Sequence, residues 1–169
     1  MATWKSTSSL QVPVYNFTKY KDWEILFKAF ISTKDKKAHN CLDQTKPKDF
    51  TTGKSKPQET DYDDIQYFLY ELQKWEKAVL DTAEAKSNFK EGNATLWGYL
   101  VQAITNSDEP EAKTLATHHD YVDRGKKLWE KLKELHNSQQ KTVSLEQRRA
   151  EFNSRKILKD ETLKDFSMK

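Results

Sequence analysis

Between residues 20 and 31 the apolar side chains recur at steps of three and four. Tyr20, Trp23, Phe27, Phe30 and Ile31 therefore share one stripe of a 3.6-residue helix. The spacing predicts a helix from Thr18, and a second, shorter one is expected to carry Ala38, Cys41 and Leu42. A longer stripe, Ile65, Phe68, Leu69, Leu72, Trp75, Val79 and Ala83, predicts a helix capped by Thr60 or Asp61, with this face buried, ending near Asn88.

Gly92-Asn93 reads as punctuation, with Asn93 as the N-cap of a separate helix over residues 94–105. Its apolar face, Leu96, Trp97, Leu100, Val101 and Ile104, is broad and predicts deep burial. Pro110, flanked by Glu109 and Glu111, suits the start of a short helix reaching His118. Asp120 is expected to cap the next helix, which holds Tyr121, Leu128, Leu132 and Leu135. Ser144 and Gln147 have capping-box spacing, so a further helix is expected there with Leu145, Phe152 and Ile157 inward, and a last one opens at Thr162-Leu163. Residues 1–14, rich in Ser and Thr and containing Pro13, read as a flexible arm. Residues 43–57, with Pro47, Gly53 and Pro57, read as a long surface loop.

Composition agrees with helices rather than strands, because Gly and Pro number only four each while Lys, Glu, Ala, Leu and Gln abound. Five Trp, seven Tyr and eight Phe supply the apolar area that a hydrophobic fraction of 36% would otherwise leave thin. The 169 residues suit one domain, or one small domain and the start of another. A net charge of +3 allows contact with nucleic acid without requiring it. The lone Cys41 excludes an internal disulfide and a multi-cysteine zinc site. No stretch approaches the roughly 20 apolar residues of a membrane span, so a soluble, cytoplasmic protein with no membrane partner is expected.

Candidate chemistry is sparse. Gly53-Lys54-Ser55 lacks the glycine that a phosphate loop needs five residues earlier, where Lys48 stands. Asp61, Asp63 and Asp64 offer hard oxygen ligands, but acids at a helix start are more simply caps. His118, His119 and His136 lack the spacing of a helical zinc site. Cys41 has no evident base partner and reads as a small core residue. Neither a catalytic site nor a cofactor or metal is expected. Lys126, Lys127, Arg148, Arg149, Arg155 and Lys156 are the candidate phosphate contacts, though the interleaved Glu130, Glu134, Glu146 and Glu151 equally describe a solvated helix face.

Taken in order, these motifs resemble the Gag capsid region of Copia-type long-terminal-repeat retrotransposons. Phe17-Thr18-Lys19-Tyr20-Lys21-Asp22-Trp23 with Phe27 and Phe30 is similar to that family's opening signature. Leu96-Trp97-Gly98-Tyr99-Leu100 resembles its middle helix, and Leu128-Trp129-Glu130-Lys131-Leu132 with Leu135-His136 resembles the helix closing its first half. Leu145, Arg149, Phe152 and residues 161–166 resemble the start of the second half.

The resemblance implies an all-α fold: a compact capsid-like N-terminal lobe over residues 15–140 and the beginning of a C-terminal lobe over 141–169, cut within that second lobe. It implies a core of Trp23, Phe27, Phe68, Trp97, Leu100, Trp129 and Leu132. It also implies a non-enzymatic structural protein whose partner is itself, assembled into a virus-like shell around RNA. The Cys-x-x-Cys zinc knuckle of many Gag proteins is missing, so any RNA contact would be weak and without sequence specificity. The alternative on the same stripes is a monomeric helical adaptor whose groove takes a partner helix or peptide.

Overall fold

The computed structural model describes residues 11–167, with side chains described through Ser154. All regular structure in them is helical: α1 (Tyr20–Lys34), α2 (Lys36–Asp43), α3 (Ile65–Thr105), α4 (Pro110–Thr117) and α5 (Gly125–Ser167), with single 3-10 turns at Glu59–Asp61 and His119–Tyr121. The chain is all-α. It divides into two compact units, Met1–Trp129 and Glu130–Lys169, with the boundary inside α5.

The first unit is organised by its aromatic residues. The α1 stripe is buried as its spacing requires, with Tyr20, Trp23, Phe27, Phe30 and Ile31 all inside. Trp129, at the first turns of α5, stacks on Phe27 with ring centroids 5.6 Å apart and lies 5.7 Å from Trp23. Tyr15 meets Trp23 edge-on at 4.8 Å. Leu96, Leu100 and Ile104 of α3 and Leu128 of α5 complete a core in which each large side chain contributes about 1.5–3 kcal/mol of transfer free energy. The extended segment before α1 closes this core: the Trp23 indole N–H donates to the Pro13 carbonyl at 3.1 Å, and Tyr15 N–H donates to the Ala103 carbonyl at 3.0 Å. Pro13, within the arm expected at residues 1–14, is thus tied to α1, while residues 1–10 lie outside those described.

Helix α2 packs on both α1 and α3, burying Ala38, Cys41 and Leu42. Asp35 caps it, its carboxylate accepting Ala38 N–H at 2.7 Å. Helix α4 starts at Pro110, as its missing N–H allows, and packs on α3 through buried Ala112 and Ala116.

Three sequence-based boundaries are corrected. Gly92-Asn93 does not break the chain; α3 runs unbroken over 41 residues. Glycine stands at position 92, inside the helix, because a side chain there would meet α2: an added Cβ would lie 2.5 Å from the Lys37 carbonyl oxygen and 2.8 Å from Cys41 Sγ. Asp64, not Thr60 or Asp61, caps the start of α3, accepting Gln66 N–H at 2.9 Å. Asp120 caps no α-helix, since residues 119–121 form a 3-10 turn and α5 begins at Gly125. That glycine is also a close crossing, its hypothetical Cβ falling 2.5 Å from Trp97 N and 2.6 Å from Leu96 Cβ.

In the second unit α5 continues without interruption past residues 140 and 144, so the helix start expected at Ser144 is absent. Leu132 and His136 are buried. Val143, Leu145 and Phe152 are exposed, the last at 69%, against the inward placement expected of Leu145 and Phe152. A capping-box spacing signals a helix start only where the preceding turn can leave the helix, and residues 137–143 contain neither glycine nor proline.

Candidate functional site

Among the described residues of the first unit, apolar side chains are exposed on two helices, α3 and α1. On α3 the stripe predicted to be core is only partly so: Ile65 and Leu69 are 57% and 49% exposed, Val79 and Ala83 are exposed, and Phe68, Leu72 and Trp75 are half-buried, while Leu80, outside that stripe, is 69% exposed. The buried positions of this half-helix are Ala78 and Thr82, one face round. Residues 44–64 run beside α3 and meet it at Phe68, Trp75 and Thr82, leaving Ile65, Leu69 and Val79 exposed. The loop is pinned where Phe50 N–H donates to Thr82 Oγ1 at 3.0 Å, while the Thr82 hydroxyl donates back to the Ala78 carbonyl at 2.8 Å. Farther along, the Tyr62 ring lies 5.8 Å from Phe68 and Lys56 Nζ sits 5.8 Å above the Trp75 ring. On α1 the outward face carries Ile25 and Leu26, 67% and 60% exposed, beside exposed Ala29.

Burying these side chains would remove apolar area from water, which is what an association surface offers. Sequence periodicity identified Ile65, Leu69, Leu72 and Val79 as apolar and helical, but not Ile25, Leu26 or Leu80. It could not show which stripe lacks a cover, since burial depends on what packs across from it.

The residues expected to form the core separate into two groups. Trp23, Phe27, Leu100, Trp129 and Leu132 are fully enclosed, whereas Phe68 and Trp97 are half-buried. At the 96–97 pair it is Leu96 that is enclosed. The Trp97 ring nitrogen is out of solvent with no hydrogen-bond partner among the described residues.

The candidate phosphate contacts also separate. Lys126 is half-buried and its ammonium donates to the Leu42 carbonyl at the last turn of α2, where a cation offsets the helix dipole. It is a structural cation rather than a presented one. Lys127 is exposed with Nζ 5.6 Å above the Tyr121 ring, and Arg148 and Arg149 are exposed on α5. The side chains of Arg155 and Lys156 lie outside those described.

The remaining chemical candidates are placed as follows. Cys41 is buried and its thiol donates to the Phe89 carbonyl at 3.5 Å. Burial, reinforced by Asp35 and opposed by Lys126, pushes that thiol up to about 11, which keeps it protonated and unreactive near neutrality. Asp64 is engaged as a cap, and Gly53 occupies a tight turn at φ +76°. The 3-10 turn brings His118, His119 and Asp120 together, with His119 Nε2 3.1 Å and His118 Nδ1 3.6 Å from the Asp120 carboxylate. All three are exposed, and the His118 ring nitrogen already accepts Asp120 N–H at 3.3 Å. A four-residue His spacing was the wrong pattern with which to find a cluster built on a three-residue turn.

Among the described residues no helix is long and apolar enough to cross a membrane. No family model matches the chain, and no curated protein or solved structure matches it either.

Proposed function

We propose that this chain is a non-enzymatic structural protein of the Copia-type Gag capsid kind, which self-associates into a shell around RNA in the cytoplasm. The observation that carries the reading is the pairing of a closed aromatic core with uncovered apolar faces on α1 and the first half of α3. The core is held by the motifs on which the resemblance rests: Tyr20 and Trp23 on α1, Leu96 on α3, and Leu128 and Trp129 on α5 are all buried. A shell needs many weak contacts rather than one strong one, and small apolar faces on rigid helices provide contacts of that size.

Static light scattering with negative-stain electron microscopy, across protein concentration and salt, tests the proposal. Rings, sheets or closed particles support it. A stable monomer that captures an amphipathic peptide on the α3 face would replace it with the adaptor reading.

A further inference from the structure

Residues 54–57 and Tyr62 on one side and Glu71, Lys74 and Trp75 of α3 on the other line an open cleft of about 370 Å³. Two of its walls are aromatic, Tyr62 from the loop and Trp75 from α3. Its rim is basic: Lys54 and Lys74 line it, and Lys56 lies over the Trp75 ring with Nζ 5.8 Å from the centroid. The one carboxylate in the lining is that of Glu71, which accepts a hydrogen bond from Lys74 Nζ at 3.3 Å. The four acids between residues 59 and 64 follow closely in sequence, yet none of them lines the cleft, and Asp64 is occupied in capping α3.

We propose that this cleft binds a single-stranded nucleic acid, with a base entering between Tyr62 and Trp75 and the backbone phosphates meeting Lys54, Lys56 and Lys74. Flat π-faces beside flexible ammonium groups are what single-strand binding without sequence preference requires: every base has a face to stack, and every linkage has a charge to neutralise. A duplex would meet only the lysines, because its bases are already stacked and offer no free face to Tyr62 and Trp75. The inference rests on the capsid reading only for RNA as the natural strand; the cleft's chemistry is indifferent to the 2′-hydroxyl.

The test is fluorescence anisotropy of labelled oligouridylate and oligothymidylate with the whole chain, with light scattering read on the same samples. Both strands are expected to bind, with log affinity falling against log salt at a slope of about 2 for three phosphate contacts. Lys54→Glu with Lys56→Glu lowers affinity roughly tenfold or more. Trp75→Ala lowers it roughly five- to a hundredfold, and Trp75→Phe, which keeps a ring, restores most of it. Circular dichroism confirms that each variant stays helical.

Undiminished binding by the Lys54/Lys56 double variant overturns the proposal. So does loss of binding on Arg148→Glu with Arg149→Glu alone, or capture of polyglutamate as tightly as oligonucleotide. Binding of one strand type only overturns the indifference to the sugar and with it the stacking geometry proposed. A chain that binds the oligonucleotides and never assembles upholds the cleft while removing the capsid reading.

Discussion

The Asn93 carboxamide, in the middle of α3, accepts the Lys126 amide N–H at the start of α5 across 2.9 Å. Its own NH₂ group donates to the Phe89 carbonyl at 3.1 Å, which fixes the side chain and leaves the oxygen aimed outward. Asn93 is therefore an N-cap, as its residue type indicates, but it caps a helix distant in sequence instead of opening one of its own. The same Lys126 sends its ammonium to the end of α2, so one residue pair ties three helices together.

Removing that cap is expected to cost more than a surface substitution. Asn93→Ala should lower stability by about 1–2 kcal/mol, the range of lost helix caps, while Asn93→Asp keeps the acceptor and should lose less. Urea denaturation followed by circular dichroism reads both. An alanine variant as stable as the parent would show that the α3 to α5 bond contributes nothing.

The glycines should respond in opposite directions. At Gly92 and Gly125 an added Cβ would meet backbone atoms of a neighbouring helix at 2.5 Å, so Gly92→Ala and Gly125→Ala should each destabilise by about 1–3 kcal/mol despite alanine's better helix propensity. Gly98 has nothing within 4 Å, and Gly98→Ala should stabilise by about 0.5–1 kcal/mol. The sign of the shift in melting temperature distinguishes the two classes.

The two tryptophans that looked alike in sequence should also differ. Trp129 is enclosed between Phe27 and Trp23, and Trp129→Ala should cost about 3–5 kcal/mol, enough to unfold a domain of ordinary stability. Trp97 is half-buried with an enclosed ring N–H that finds no partner among the described residues. Trp97→Phe, which deletes that donor, should be nearly neutral. A large loss on Trp97→Phe would mean that the indole nitrogen is engaged after all.

Stability should fall in alkali. Burial, with Glu109 adding to it, raises the Tyr15 phenol from 10.0 to about 12; burial raises Tyr20 further in the same direction; and Cys41 rises from 9.0 to about 11. The folded chain then holds protons that the unfolded chain has released, so the stabilisation is complete below pH 9 and is lost as pH climbs through 9 to 12. Denaturation midpoints at neutral and alkaline pH check the sign. In parallel, Cys41 should resist alkylation by iodoacetamide near neutrality unless the chain is unfolded.

Much of this architecture was legible in the residues. The α1 stripe, the short α2 with Cys41 and Leu42, and the Pro110 start of α4 all follow from local periodicity and capping, which neighbours in sequence decide. What local rules missed were features set across space. Gly92-Asn93 has the composition of a break yet lies inside α3, where glycine lets α2 come close, and Ile65, Leu69 and Val79 have the composition of core yet stay exposed. The cleft at Trp75 was hidden for the same reason, since Lys54 and Lys56 lie about twenty residues away from the ring they surround.

The central claim is that the uncovered faces of α1 and α3 drive self-association. Light scattering on the parent chain beside Ile25→Asp with Leu26→Asp, and Leu69→Asp with Leu80→Asp, tests it most directly, since all four side chains are exposed and the folds should survive. The account predicts concentration-dependent assemblies for the parent and monomers for the variants. A parent that stays monomeric at every concentration and salt, or variants that assemble as the parent does, would contradict it.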